Sequence, residues 1–474
     1  MSISKGTWRL TAAMIVLCAG LWIILHSAFD SGASYQQSGG LGNAPVTYRV
    51  APDDWAQLVT TGGPGTPPWV LLPPDFSEED FVSAVKAENR GFLAPTTCAE
   101  CHREKFETFK STTHALTSRL PGETSILGDF SAPANILTTA SPDVFFEMEK
   151  TADSYLQKAT IRDESHRRSY SDTFSFDLIL GSGNHGQSYL YWNRDRLYQM
   201  HVSYLSESQS WVNSPGPYFD GTIDYARPVP PRCLDCHATW IAFDPKEVNR
   251  FDRSTLIPGV TCVRCHGPGH EHIAIHRQHP ELKEGKRIIH PGKLSVQRAN
   301  ELCAQCHSSG EQIGAPFGYR PGEPLATWME IDLSAEAENN ADPHSANQLA
   351  RLMQSRCYTE SDGLSCVRCH DPHRSQLGQL RTYAAKCRDC HQPADCRECA
   401  TNGARFEDHC VDCHMPAKRD AQVRMQTSEG KMEALLRDHR IAVWPDTSAH
   451  VKSQLRNDTG SPHQEPPTSG ELPQ

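Results

Sequence analysis

Seven times in this chain two cysteines flank two residues and are followed at once by a histidine. The stretches are Cys98-Ala-Glu-Cys101-His102, Cys233-Leu-Asp-Cys236-His237, Cys262-Val-Arg-Cys265-His266, Cys303-Ala-Gln-Cys306-His307, Cys366-Val-Arg-Cys369-His370, Cys387-Arg-Asp-Cys390-His391 and Cys410-Val-Asp-Cys413-His414. Eighteen cysteines and 23 histidines scattered over 474 positions would give the pattern roughly 0.03 times by chance. The chemistry that needs these residues at this spacing is covalent attachment of haem c. The two thiols form thioethers to the porphyrin, and the adjacent histidine turns its imidazole to the iron as proximal ligand. Seven covalent haems with iron are therefore expected. Structural zinc also uses C-x-x-C pairs, but a tetrahedral site gives no reason for a histidine directly after the second cysteine seven times. A disulfide scaffold gives that histidine no role either.

A proximal histidine fills one axial position of the iron, and whatever fills the other separates an electron carrier from a catalyst. Sixteen histidines lie outside the motifs. His114, His272, His344, His373 and His439 are the strongest candidates for distal ligands, with His185 and His290 behind them. If all seven ligate, every haem is six-coordinate. His373 stands too close to His370 to reach round the same haem, so it would cap a neighbour, which implies haems in contact. His270, His276, His279 and His409 read as supporting or solvent-facing residues, although His270 could replace His272. Met415 follows His414 directly and cannot fold back onto that iron.

The elements that position these motifs begin with the amino terminus. Lys5 and Arg9 precede an apolar run from Leu10 to Leu25, and with residues 26–29 the uncharged stretch reaches about 20 residues, enough to span a bilayer as a helix. Residues 1–29 are read as a membrane anchor or a signal segment. The length favours the anchor, and Ser27-Ala28 is the candidate cleavage site if it is removed. Cys18 lies within this run as a buried thiol. The positive flank stays on the cytoplasmic side, which places the rest of the chain outside the cytoplasmic membrane, periplasmic or extracytoplasmic.

Residues 30–60 read as a linker, 61–139 as a first haem segment, 140–206 as a β insert, 207–445 as a six-haem domain and 446–474 as a disordered tail. The insert is inferred from the 131 cysteine-free residues between the first two motifs. Later motifs follow at spacings of 29, 41, 63, 21 and 23. Within that gap, stretches such as Phe145-Phe-Glu-Met-Glu and Leu197-Tyr-Gln-Met-His alternate in the strand period, and Asn193-Arg-Asp-Arg reads as a hairpin turn. Short helices are expected at 295–306 and 343–356. A hydrophobic content of 38%, with 32 glycines and 33 prolines, suits a chain that packs around porphyrin. The formal charge of −11 argues against nucleic acid as a partner.

Several segments resemble the tetrahaem cytochrome c-554 and the larger cytochrome c-552/4 domain family. They are Cys98 to His114, Cys262-Val-Arg-Cys-His-Gly-Pro-Gly with His272, Ser365-Cys-Val-Arg-Cys-His-Asp-Pro-His373 and Cys410-Val-Asp-Cys-His-Met-Pro416. The resemblance covers roughly 95 to 445. It implies a mainly α and irregular multihaem fold, a haem stack with short helices, here with the small antiparallel β insert. It also implies mostly bis-histidine ligation and electron transfer. Related pentahaem nitrite reductases often carry lysine in place of one motif histidine, and no C-x-x-C-Lys occurs here. Cys396-Arg-Glu-Cys399-Ala400 is a cysteine pair without a histidine. It is read as a disulfide, either within the pair or from Cys396 to Cys357.

The histidine supply favours an electron carrier, passing electrons between redox partner proteins, a membrane quinol oxidase-type donor or another cytochrome. An oxidoreductase acting on a small nitrogen or sulfur oxyanion at one open haem is the alternative. An interaction subunit that docks through the β insert is a third.

Overall fold

The computed structural model describes residues 48–50, 92–163, 168–215, 221–333, 347–361, 363–427 and 430–457. The expected anchor, most of the linker, His344 and residues 458–474 lie outside these. Among the described residues no helix is long and apolar enough to cross a membrane.

Strand formation begins where the alternation is cleanest. In Val144–Lys150 the side chains of Val144, Phe146 and Met148 are buried while their neighbours are half-buried, as a two-residue period with one face inward requires. This strand pairs antiparallel with Ile136–Thr138 on one side and Tyr155–Asp163 on the other, and Arg168–Ser175 completes a four-stranded meander. A seven-stranded antiparallel sheet packs against it, with Gly186–Asn193 at its centre. That strand pairs with Leu178–Leu180, Arg196–Gln199 and Val202–Leu205.

The larger sheet is buried on both faces. Ile179, Tyr189, Tyr191 and Tyr198 point to the meander and join Phe146, Met148, Phe176 and Trp211 in one core. Their neighbours Leu178, Leu190 and Leu197 point the other way. There they meet Leu234, Trp240 and Val263, from the segments that carry the second and third motifs, and Phe317, which follows the fourth. The strand-rich unit is thus a wall against which haem-binding segments are built, rather than an appendage.

The mainly α expectation is wrong. Antiparallel strands dominate and extend well past residue 206. Ala238–Phe243 pairs with Phe251–Pro258, Gly310–Gln312 with Met329–Ile331, and Ala417–Thr427 with Gly430–Arg437. Most motif helices are only one or two turns long, because C-x-x-C-H needs no more backbone than that to present its three side chains. Pro231–His237, Cys262–His266 and Cys410–His414 each stop at the motif histidine. Gly267, at φ +75°, ends the second of them in a conformation that favours glycine.

Two further segments depart from expectation. Tyr48–Val50, within the linker, forms a parallel strand beside Ile223–Tyr225. Pro445–Asn457, at the start of the expected disordered tail, is a helix whose Val451 and Leu455 pack on Cys399 and Phe406.

Candidate haem sites

The motif histidines are held by their backbone neighbourhoods. His266 Nδ1 lies 2.9 Å from the Ile289 carbonyl, and His414 Nδ1 lies 2.9 Å from the Ala442 carbonyl. A carbonyl only accepts, so Nδ1 carries the proton and Nε2 keeps its lone pair for a metal, the usual arrangement behind a metal-bound imidazole. His272 Nδ1 donates likewise to the Lys286 carbonyl at 2.9 Å, and His439 Nδ1 to the Arg437 carbonyl at 3.2 Å.

Four motif histidines face a second histidine. The ring centres lie 6.3 Å apart for His102 and His272, 6.1 Å for His307 and His114, 6.0 Å for His266 and His373, and 6.1 Å for His370 and His439. The ring planes are inclined at 17°, 85°, 30° and 22° respectively. Two imidazoles that ligate one metal from opposite sides, each through a bond of ~2 Å, have ring centres about 6 Å apart once the ~1.1 Å from ring centre to nitrogen is included. Stacked rings in direct contact stand closer, as Phe146 and His201 do at 4.5 Å. The four gaps therefore fit one iron each.

His114 reaches His307 because its own backbone is tied down. Val260 N donates to the His114 carbonyl at 2.9 Å, and Gly259, at φ +71°, runs against the Ala115 carbonyl, where a Cβ would stand 2.2 Å from that oxygen. Burial first, and then the neighbouring His114, His439, His370 and His237 rings, push His307 down to about 4. His439 is also held at about 4, chiefly by burial. Both are neutral at ordinary pH, as iron ligation requires.

Of the other candidates, His344 lies outside the described residues. His185 sits at a strand turn beside Glu207, and His290 neighbours His266. Among the described residues, neither makes a ring contact with a motif histidine. His409 pairs with Asp412 at 3.0 Å, and His276 packs on His272. The helix His270–Gln278 brings the His272 ring to 6.3 Å from His102.

The cysteines of separate motifs also meet. Cys98 lies beside Cys262, Cys236 beside Cys306, Cys303 beside Cys366 and Cys387 beside Cys410, close enough for the thiols of each pair to perturb one another. Cys396 lies beside Cys399, whereas Cys357 lies among Cys369, Cys387 and Cys390. The chain thus brings Cys396 to Cys399 and leaves Cys357 in other company. Among the described residues no disulfide joins any two cysteines.

Residues between the motif cysteines hold a contact that the motif reading passed over. Arg264, Asp235 and Gln305 are the second spacer residues of the third, second and fourth motifs, and all three are buried. Arg264 donates to Asp235 Oδ1 at 2.7 Å, to the Asp235 carbonyl at 2.8 Å and to Gln305 Oε1 at 3.1 Å. The charged types at those spacers were the available signal.

Comparison with known proteins agrees on class. The family described as cytochrome c554 and c-prime matches residues 185–267. The dissimilatory sulfite reductase MccA of Wolinella succinogenes is 23% identical over 467 residues, covering 83% of this chain and 56% of MccA. The chain thus spans about half the length of that curated relative. The outer cell wall cytochrome OcwA superposes with a TM-score of 0.44 at 16% identity, over 77% of this chain and 82% of that one. The chain is similar to multihaem c-type cytochromes, and more particularly to the cytochrome c-554 and c-552/4 domain family whose motifs it carries, and its Cys and His motifs are of the kind that would hold haem c.

Proposed function

We propose that this protein is a seven-haem electron carrier working outside the cytoplasmic membrane. The observation that carries the reading is the set of four histidine pairs with ring centres 6.0–6.3 Å apart. They give His102, His307, His266 and His370 the distal partners His272, His114, His373 and His439. When bound, haem supplies a one-electron iron couple. The protein's own residues fix the imidazoles of His266, His272 and His439 through backbone carbonyls.

The cysteine contacts support a row in which the first motif neighbours the third, the fourth the fifth and the sixth the seventh. Cys265 lies near Cys306, and Cys369 near Cys387, which joins these pairs into one series. The second motif sits beside the fourth through Cys236 and Cys306. Cys101 and Cys390 are the exposed motif cysteines and belong to the first and sixth sites, towards opposite ends of the series. Electrons would enter at one end and leave at the other, exchanged with redox partners such as a membrane quinol-oxidising donor or another cytochrome.

A second reading rests on the 23% identity to a sulfite reductase: a small-oxyanion oxidoreductase at one five-coordinate haem. EPR and optical spectra of the air-oxidised, haem-loaded protein, with and without nitrite, hydroxylamine or sulfite, separate the two. Wholly low-spin ferric iron, unchanged by any of these, is the expected result. A high-spin fraction near one haem in seven that shifts on ligand addition would replace the carrier by the enzyme.

A further inference from the structure

Asp235, Arg264 and Gln305 occupy the same place in three different motifs, the residue just before the second cysteine. They converge on one another from three separate helices. The Arg264 side chain is 3% exposed and that of Asp235 0%. Arg232 closes the group from outside. It donates to the Gln305 carbonyl at 3.0 Å and stands 3.5 Å from Asp235 Oδ2. Arg264 lies over the Phe317 ring and Arg232 over the Trp328 ring, so the guanidinium faces meet aromatic walls rather than water.

Ionic groups removed from water are costly unless each is matched, and a matched set tolerates little displacement. The three motifs are therefore held to one another through their spacers as well as through their haems. The same device recurs in weaker form. Arg368, the second spacer of the fifth motif, stands 3.5 Å from Asp389, the second spacer of the sixth, and both are exposed. Glu100, the second spacer of the first, pairs with Arg277 at 2.8 Å, also in water.

We infer that Asp235, Arg264 and Gln305 are positioning residues that dock the second, third and fourth haem sites together and set the reduction potentials of those three haems as a group. The inference rests on the haem reading above. A fixed buried charge one residue from each haem-bearing cysteine acts in a low dielectric, where its field is weakly screened. Haem potentials respond to local charge and burial, so removing negative charge disfavours the oxidised iron and adding it favours the oxidised iron.

The test uses the full haem-loaded chain, with haem number counted by intact mass and midpoint potentials taken from redox-titrated spectra. Asp235→Asn keeps the shape and an acceptor for Arg264 but deletes the carboxylate charge. It should raise a subset of up to three midpoints. Gln305→Glu adds a carboxylate beside Arg264 and should lower the same subset. Arg264→Lys keeps the charge and should leave the midpoints close to wild type. Glu100→Gln, at the solvated pair, should move them least. Loss of packing alone would not give shifts of opposite sign in the first two variants. Unchanged potentials, or shifts of one sign in both, with haem number retained, would overturn the inference. If Asp235→Asn does not load haem, the sign of the Gln305→Glu shift decides. Fewer than seven haems in the wild type would instead count against the haem reading.

Discussion

His201 gives the protein an acid-sensitive point within its strand-rich core. It is fully buried in the strand-rich core, its ring stacked on Phe146 at 4.5 Å, and it accepts the Asp224 N–H on Nδ1 at 3.1 Å. Burial pushes it from 6.5 down to about 3. Between these two values the unfolded chain binds a proton at this histidine and the folded chain does not. Stability is therefore complete above pH 6.5 and falls as the pH drops, by about 1.4 kcal/mol per unit. At pH 5 the loss is about 2 kcal/mol, a sizeable part of the 5–15 kcal/mol typical of a domain. Urea unfolding of the full chain at pH 7 and pH 5, followed by far-ultraviolet circular dichroism, measures it against His201→Gln. Other titrating groups act alike in both proteins, so the change in their difference isolates this ring. The variant should be less stable at pH 7 through lost stacking, and the gap should narrow by about 2 kcal/mol at pH 5. A gap that is the same at both pH values would refute the reasoning.

Gly259→Ala should force its Cβ onto the Ala115 carbonyl, displace the adjoining His114 and raise a high-spin signal from the haem at His307, read by EPR. His439→Ala should do the same at His370, with a high-spin fraction near one haem in seven. Phe146→Ala should cost about 3–5 kcal/mol in denaturant unfolding, because its side chain is fully enclosed by the meander and the larger sheet. Glu207→Gln breaks the solvated 2.8 Å contact with Arg419 that ties the Ala417–Thr427 strand to the sheet edge, and should cost no more than about 1 kcal/mol. Cys357→Ser should leave the haem number and the state of the Cys396 and Cys399 pair unchanged, read by intact mass and thiol titration.

The haem motifs were legible because their chemistry demands contiguous residues. The histidines proposed as distal ligands are not contiguous with them. They stood out through short local patterns such as His370-Asp-Pro-His373, yet which one faces which motif depends on tertiary folding that no local pattern encodes. Alternation revealed the strand at Val144–Lys150, where one face is buried and the other only half-buried. It failed at Ala238–Phe243, whose first five residues are all buried, because a strand covered on both sides loses its period. The spacer network was hidden differently. Asp235 and Arg264 read as ordinary charged residues, and only the folded chain puts them together without water.

The histidine pairs span long stretches of chain. His102 meets a ring 170 residues later, His114 one 193 later and His370 one 69 later. A chain threaded outward from its amino terminus offers its first haem-binding cysteines long before the opposing imidazole emerges. Closing such loops is entropically costly and slow. If these rings ligate as proposed, attachment of the early haems would precede their full enclosure and would leave the growing intermediate with one bare metal face per site. Assembly would depend on export pace, and a chain truncated before residue 272 would carry its first haem permanently exposed to small ligands.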